Sequence, residues 1–233
     1  MIETDNHYWR DIAYKTNRFG VIYKPDGEGK LNTFPRSEIR SFMQFIFKQT
    51  EEVGGDVLDL CAGTNTGYYF SETITQNRKL IAVDIALAAH EIITRKADKS
   101  ASPKNSKIPD KFIVADLNVQ RLTELNFLPN DIVLASLIDG LRYLKDDSLG
   151  NIAEDLQHVL APGGIFVIVD FEKLNKSEAQ EMGEMKQLTG EVNDQIMDLL
   201  EKLGYCNVEF FLIREEFGDN YSRFAITAKK PRN

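Results

Sequence analysis

Apolar residues recur along this chain in two rhythms. Five short runs, over residues 57–61, 79–84, 111–115, 131–136 and 165–171, are apolar on both faces, as central parallel strands must be when helices cover both sides of a sheet. Between them the spacing changes to three and four. Ile39, Phe42, Met43, Phe45, Ile46 and Phe47 stripe residues 36–50, which are introduced by Pro35 and Ser37. Leu149, Ile152, Ala153, Leu156, Val159 and Leu160 stripe residues 148–160, stopped by Pro162-Gly163-Gly164. Residues 86–98 and 191–203 read as further helices, the second ended by Gly204. Two alternating runs, 208–217 and 223–229, flank Gly218-Asp219-Asn220 and predict a closing antiparallel hairpin. The pattern is that of an α/β chain built on a mostly parallel sheet.

The ends of those runs carry the chemistry. The first ends in Asp59-Leu60-Cys61 and breaks into Ala62-Gly63-Thr64-Asn65-Thr66-Gly67, a turn-rich loop in which Gly63 and Gly67 let the backbone turn and approach a ligand. The Tyr-Tyr-Phe that follows opens a helix facing the same crevice. The second run ends in Asp84, about 20 residues on, where an acid closing the next strand can accept hydrogen bonds from both hydroxyls of a ribose. Together the two runs predict a nucleoside-bearing cofactor at the carboxyl ends of the strands. Acids also follow the third run (Asp116) and the fourth (Asp139).

The first 50 residues predict a lid or cap belonging to the same domain, with residues 51–233 forming the α/β body. The segment holds the only tryptophan, Trp9, with His7, Tyr8, Tyr14, Phe19 and Tyr23, and then a turn at Pro25-Asp26-Gly27-Glu28-Gly29. Disordered tails lack such aromatics. Residues 99–110 are a polar surface connection, and the polar, Met-containing stretch 172–190 suggests a mobile helix or lid.

Composition removes several classes of function. At 233 residues and 42% hydrophobic content the chain is sized for one well-buried domain. Its formal net charge of −8 argues against a broad grip on nucleic-acid phosphates. The two cysteines, Cys61 and Cys206, lack a CxxC or His partner at metal spacing, and read as small buried hydrophobes in a reducing compartment; no metal is expected. The polar N-terminus carries no signal-peptide pattern, and the longest apolar stretch is too short to span a bilayer, so a soluble, cytoplasmic protein is expected.

Taken in order, these motifs resemble those of the class I S-adenosylmethionine-dependent methyltransferases, small-molecule type, over roughly residues 53–229. Val57-Leu58-Asp59-Leu60-Cys61-Ala62-Gly63-Thr64 is similar to their first motif, Ala82-Val83-Asp84-Ile85 to the ribose-binding acid, and Ala115-Asp116-Leu117 to the adenine-side motif. Asp131-Ile132-Val133-Leu134-Ala135-Ser136 resembles the fourth-strand motif, and Leu160-Ala161-Pro162-Gly163-Gly164-Ile165-Phe166-Val167-Ile168 the turn before strand five. The resemblance implies a Rossmann-like seven-stranded sheet with a reversed C-terminal hairpin, helices on both faces, and S-adenosylmethionine as cofactor. It assigns Asp59, Cys61, Ala62, Gly63 and Asn65 to the amino-acid end of that cofactor, Asp84 to the ribose hydroxyls, Ile85 to the adenine face, and Asp116 and Leu117 to the adenine edge. It also places the backbone at Ser136 and Leu137 beside the methionine portion. Cys61 and Asn65 stand where the family usually has glycine; Asn65 tolerates left-handed backbone, and Cys61 needs only the extended conformation of a strand end.

Methyl transfer from a sulfonium requires alignment and exclusion of water rather than a nucleophilic triad. None is evident, because His7, His90 and His158 are scattered. Asp139 sits where an acceptor or the cofactor's amino group would lie and could orient or deprotonate an amine; its alternative role is to cap the following helix. Asp139, Tyr143 and Tyr14 are the catalytic candidates, and Arg18, Tyr23 and Asp139 the acceptor-binding ones. The expected partner is a small-molecule substrate, with no nucleic acid and no membrane, and with a homodimer allowed. Two other readings stay open: chemistry on the cofactor's aminocarboxypropyl arm, releasing methylthioadenosine, and a cofactor-binding regulatory protein without turnover.

Overall fold

The computed structural model describes residues 21–23, 30–32, 37–63, 66–70, 77–85, 89, 107–145, 147–171, 190–214 and 222–232. Two short strands, β1 (Val21–Tyr23) and β2 (Lys30–Asn32), pair antiparallel; the sequence did not single them out, and the turn expected between them lies outside the described residues. Helix α1 (Ser37–Lys48) follows, within the predicted stripe.

The body is a seven-stranded sheet of β3 (Asp56–Leu60), β4 (Leu80–Asp84), β5 (Lys111–Val114), β6 (Ile132–Ile138), β7 (Leu160–Phe171), β8 (Cys206–Arg214) and β9 (Ser222–Lys229). Their spatial order is β5-β4-β3-β6-β7-β9-β8. Strands β3 to β7 run parallel, and β9 enters antiparallel between β7 and β8. This is the predicted Rossmann-like sheet with its reversed hairpin. The strand order reverses at β3, so the loop after β3 faces the opening between β4 and β6 where ligands of open α/β sheets bind.

Residues on opposite faces of the central strands feed two cores. Leu58, Leu60, Ala135 and Leu137 face α3 (Ser148–Val159) and α4 (Gly190–Lys202), packing with Ile152, Leu156, Ile196 and Leu200. Val57, Leu134 and Val167 face the other way, with Ile39, Met43 and Ile46 of α1 and with Tyr69 and Phe70 at the end of the one-turn helix α2 (Thr66–Tyr69). Asp59 and Ser136 alternate onto that second face and are buried there, 1% and 0% exposed.

Pro162-Gly163-Gly164 does not separate helix from strand as expected. The last residue of α3 is followed directly by β7, whose pairing with β6 begins at Leu160 and shifts register between Ile132 and Leu134, so the three residues form an irregularity inside the strand. A Cβ on Gly164 would stand 2.8 Å from the Ala161 carbonyl oxygen. On the far side of the sheet the Arg121 guanidinium spans Asp155, Glu154 and Asn151 of α3, while Asp155 also accepts the Leu122 amide at 2.7 Å, locking the connection from β5 onto the helix. The helix expected over 86–98 and the lid expected over 172–190 lie outside the described residues, apart from Ala89, which is helical.

Candidate cofactor site

At the carboxyl ends of the parallel strands, four carboxylates, Asp59, Asp84, Asp116 and Asp170, act on the turn after β3. That turn begins at Cys61, whose φ of 51° is left-handed, contrary to the extended conformation expected of it. A left-handed bend here is needed to reverse the chain out of a central strand, and in this chain a cysteine adopts it rather than a glycine. The Ala62 amide then bonds the Val83 carbonyl at 3.1 Å, and Gly63, itself at φ 53°, donates its amide to Asp84 Oδ2 at 2.8 Å. The expected ribose acid is thereby tied to the expected ligand loop.

Asp59 lies under this loop. Its Oδ1 accepts a hydrogen bond from Ser136 Oγ at 2.5 Å, the two residues being register partners in β3 and β6. Burial pushes the Asp59 carboxyl up to about 7; the Ser136 and Thr66 hydroxyls pull it down, and Asp84 adds a small upward push. Among the described residues the fully buried Thr66 hydroxyl has no well-formed bond, and it acts on Asp59 by proximity. Burial, followed by the negative field of Asp84, Asp59, Asp116 and Asp170, raises the Cys61 thiol well above its ordinary range. Cys61 is thus a neutral wall of the site.

Gly67 serves a purpose other than the expected ligand approach. It lies in α2 with its backbone against residue 107, where the Lys107 amide donates to the Gly67 carbonyl at 2.8 Å and an added Cβ would fall 2.1 Å from the Lys107 carbonyl oxygen.

Beyond β4, Ile85 is half-exposed beside Asp84. After β5, Asp116 Oδ1 accepts the Asn118 amide at 2.9 Å, and Leu117 is buried in the core. Asn118, which the sequence did not single out, fastens this loop to the one after β6. Its side chain donates to the Tyr143 carbonyl at 3.1 Å and accepts from the Lys145 amide at 2.7 Å and from Ser148 Oγ at 3.0 Å.

Strand β6 runs two residues beyond its predicted end. Ser136 and Leu137 are therefore inside the sheet, Ser136 reaching the site through Asp59 and Leu137 packing in the core. The turn that borders the crevice is Asp139–Tyr143. Asp139, at φ 57°, does not cap it, because the Leu141 amide is taken by Asp170 Oδ2 at 3.1 Å. Instead the Asp139 carboxylate accepts two bonds from Arg223 Nη1, at 2.8 and 3.0 Å. Arg223 on β9 is 1% exposed, Asp139 30%. Tyr143 is half-buried at the end of the same turn. Tyr14, Arg18 and Asn65 lie outside the described residues, as does the side chain of Tyr23, the last residue of β1.

Among the described residues no group of three or more His, Cys, Asp or Glu could hold a metal ion, and no helix is long and apolar enough to cross a membrane.

No family model matches the sequence, and no curated protein matches it. Among solved structures the chain is similar to the CurJ carbon methyltransferase, at 17% identity and a TM-score of 0.64, over 83% of this chain and 54% of that one. It is similar to phosphoethanolamine N-methyltransferase 2 of Haemonchus contortus in complex with phosphomonomethylethanolamine and S-adenosylhomocysteine, at 17% identity and 0.59, over 99% and 59%. It also matches the (4+2) cyclase SpnF, at 12% identity and 0.64, over 98% and 96%. The chain spans little more than half the length of the first two. At such identities the likeness defines the fold, which is that of the class I S-adenosylmethionine-dependent methyltransferases.

Proposed function

We propose that the chain binds S-adenosylmethionine in the crevice above β3, β4 and β6 and transfers its methyl group to a small-molecule acceptor. The observation that carries this is the bond from the Gly63 amide to Asp84, which sets a strand-end carboxylate beside a tight loop at the point where the strand order reverses. A buried acid, Asp59, beneath the same loop suits a ligand that brings positive charge.

The cofactor supplies a methyl group already activated on a sulfonium. The chain's own residues then bind, orient and exclude water. Asp84 holds the ribose hydroxyls, Ile85 covers the adenine and the Asp116-Leu117 turn borders its edge. Gly63, with Ala62 and Cys61, sets the loop that receives the amino-acid arm. Tyr143 and the Asp139 turn form the wall on the acceptor side, with Tyr14, Arg18 and Tyr23 as further contacts. Asp139, which already accepts two hydrogen bonds from the Arg223 guanidinium, is held in place to orient the acceptor.

The test is to incubate the purified protein with S-adenosylmethionine, alone and with pooled small-molecule acceptors, and to identify products by mass spectrometry beside a calorimetric titration. Binding, an intact cofactor without acceptor, and S-adenosylhomocysteine with one are expected. Methylthioadenosine above a heat-killed control would shift the assignment to the aminocarboxypropyl arm. Binding without turnover on any acceptor would favour a regulatory protein, and absence of binding would overturn the proposal.

A further inference from the structure

We infer that Arg223 is a positioning residue for the amino-acid end of the cofactor, acting through Asp139 and Gly140 on the loop after β3; this rests on the function proposed above. Arg223 sits on β9, paired with Phe171 of β7, and crosses the carboxyl end of β7 to reach Asp139 at the end of β6. A buried guanidinium is expensive to desolvate, and an apolar side chain would fill a core position on β9 at lower cost. Its two hydrogen bonds to Asp139 hold a residue in left-handed backbone at the head of the turn. The same turn is pinned by the Asp139 amide on the Val169 carbonyl at 2.8 Å and by the Leu141 amide on Asp170 at 3.1 Å.

The turn so fixed meets the ligand loop directly. A Cβ on Gly140 would lie 2.7 Å from Cys61 Cβ and 3.3 Å from its Sγ, so there is no slack between them. Two residues further on, Gly63 holds Asp84. Asp84, Ile85 and Asp116 lie on the β4 and β5 side of the loop, where the nucleoside belongs, whereas Arg223, Asp139 and Gly140 lie on the β6, β7 and β9 side. Loosening the second group should therefore leave nucleoside recognition in place and misplace what extends beyond it.

The experiment compares two ligands that share the nucleoside and differ in the arm, S-adenosylhomocysteine and methylthioadenosine, by calorimetry on the wild type, Arg223→Met, Arg223→Lys and Asp139→Asn. Arg223→Met is expected to weaken S-adenosylhomocysteine by about tenfold or more and methylthioadenosine by less than about threefold, with Arg223→Lys restoring part of the loss. Equal losses for both ligands, or no loss, would overturn the inference. Should Arg223→Met not fold, as judged by its thermal transition, Asp139→Asn carries the same expectation, because it removes the charge that Arg223 holds. A wild type that binds both ligands, with no selective loss in the variants, overturns the positioning role alone. A wild type that binds neither overturns the proposed function and this inference with it.

Discussion

Asp59 and Ser136 face each other as register partners in the two central strands, joined by a 2.5 Å hydrogen bond beneath the candidate cofactor loop. The Asp59 carboxyl, buried and raised to about 7, titrates in the folded protein near neutrality, whereas in the unfolded chain it returns to its ordinary value near 3.8. The folded state thus holds a proton that the unfolded state releases. The stability this confers is fully present below the unfolded value and is lost as pH rises through about 7. Replacing Asp59 with Asn removes the titration. Across that window the wild type should lose about 1.4 kcal/mol per pH unit relative to Asp59→Asn, as read from denaturant unfolding at a series of pH values. Ser136→Ala takes away a bond that lowers the Asp59 pKa, so it should move the midpoint to higher pH. Parallel pH profiles for wild type and Asp59→Asn would show that Asp59 does not titrate as its burial requires.

Asp84 has two duties, anchoring the Gly63 amide and, on the proposed function, holding a ribose. Asp84→Ala should weaken S-adenosylhomocysteine by at least about tenfold, since bonds to a charged acceptor contribute roughly 1.5–3 kcal/mol each. Asp84→Asn keeps an acceptor for the Gly63 amide and should lose less. Unchanged affinity in Asp84→Ala, by calorimetry, would sink the ribose assignment.

Much of the fold was legible because the central strands are apolar on both faces and end in acids. Runs such as Val57-Leu58 and Ile165–Ile168 have no alternative use in a chain of this size, and their order implied the sheet. The Asp84 position followed from its distance beyond the first loop. What stayed hidden depends on partners remote in sequence. Arg223 sits in an alternating strand, where a charged residue reads as solvent-facing; its burial goes with a partner remote in sequence, Asp139, 84 residues away. The capping role that stood as the alternative reading of Asp139 could not be judged locally, because Asp170, the acid that takes the Leu141 amide, belongs to another strand. The left-handed Cys61 was also beyond local inference, since nothing in Leu60-Cys61-Ala62 favours positive φ.

Gly67 separates local from remote reasons for a glycine. Because a Cβ there would overlap the Lys107 carbonyl oxygen, a backbone atom that cannot rotate away, Gly67→Ala should force α2 and the segment at 107 apart. The expected cost is about 1–3 kcal/mol of stability in denaturant unfolding. If Gly67 served ligand approach alone, stability would be unchanged and only cofactor affinity would fall.

The closeness of Gly140 to Cys61 gives the sharpest test of how the loop and the turn fit together. Cys61 occupies left-handed backbone that disfavours a side chain by roughly 1–2 kcal/mol, yet its Cβ fills the space that Gly140 leaves open. Gly140→Ala adds a methyl group 2.7 Å from that Cβ and equally close to Leu137 Cδ1, and should destabilise the fold by about 1–3 kcal/mol. Cys61→Gly relieves the backbone and loses half-buried side-chain contact, two effects of opposite sign that leave a small net change. In the double variant one of the two clashes is gone, so Gly140→Ala should cost less than in the wild-type background, with a coupling of at least about 0.5 kcal/mol. The Leu137 contact persists, so the rescue should be partial. Additive effects of the two substitutions would mean that the turn and the loop relax independently. The route from Arg223 to the cofactor loop would then have no physical connection at Cys61.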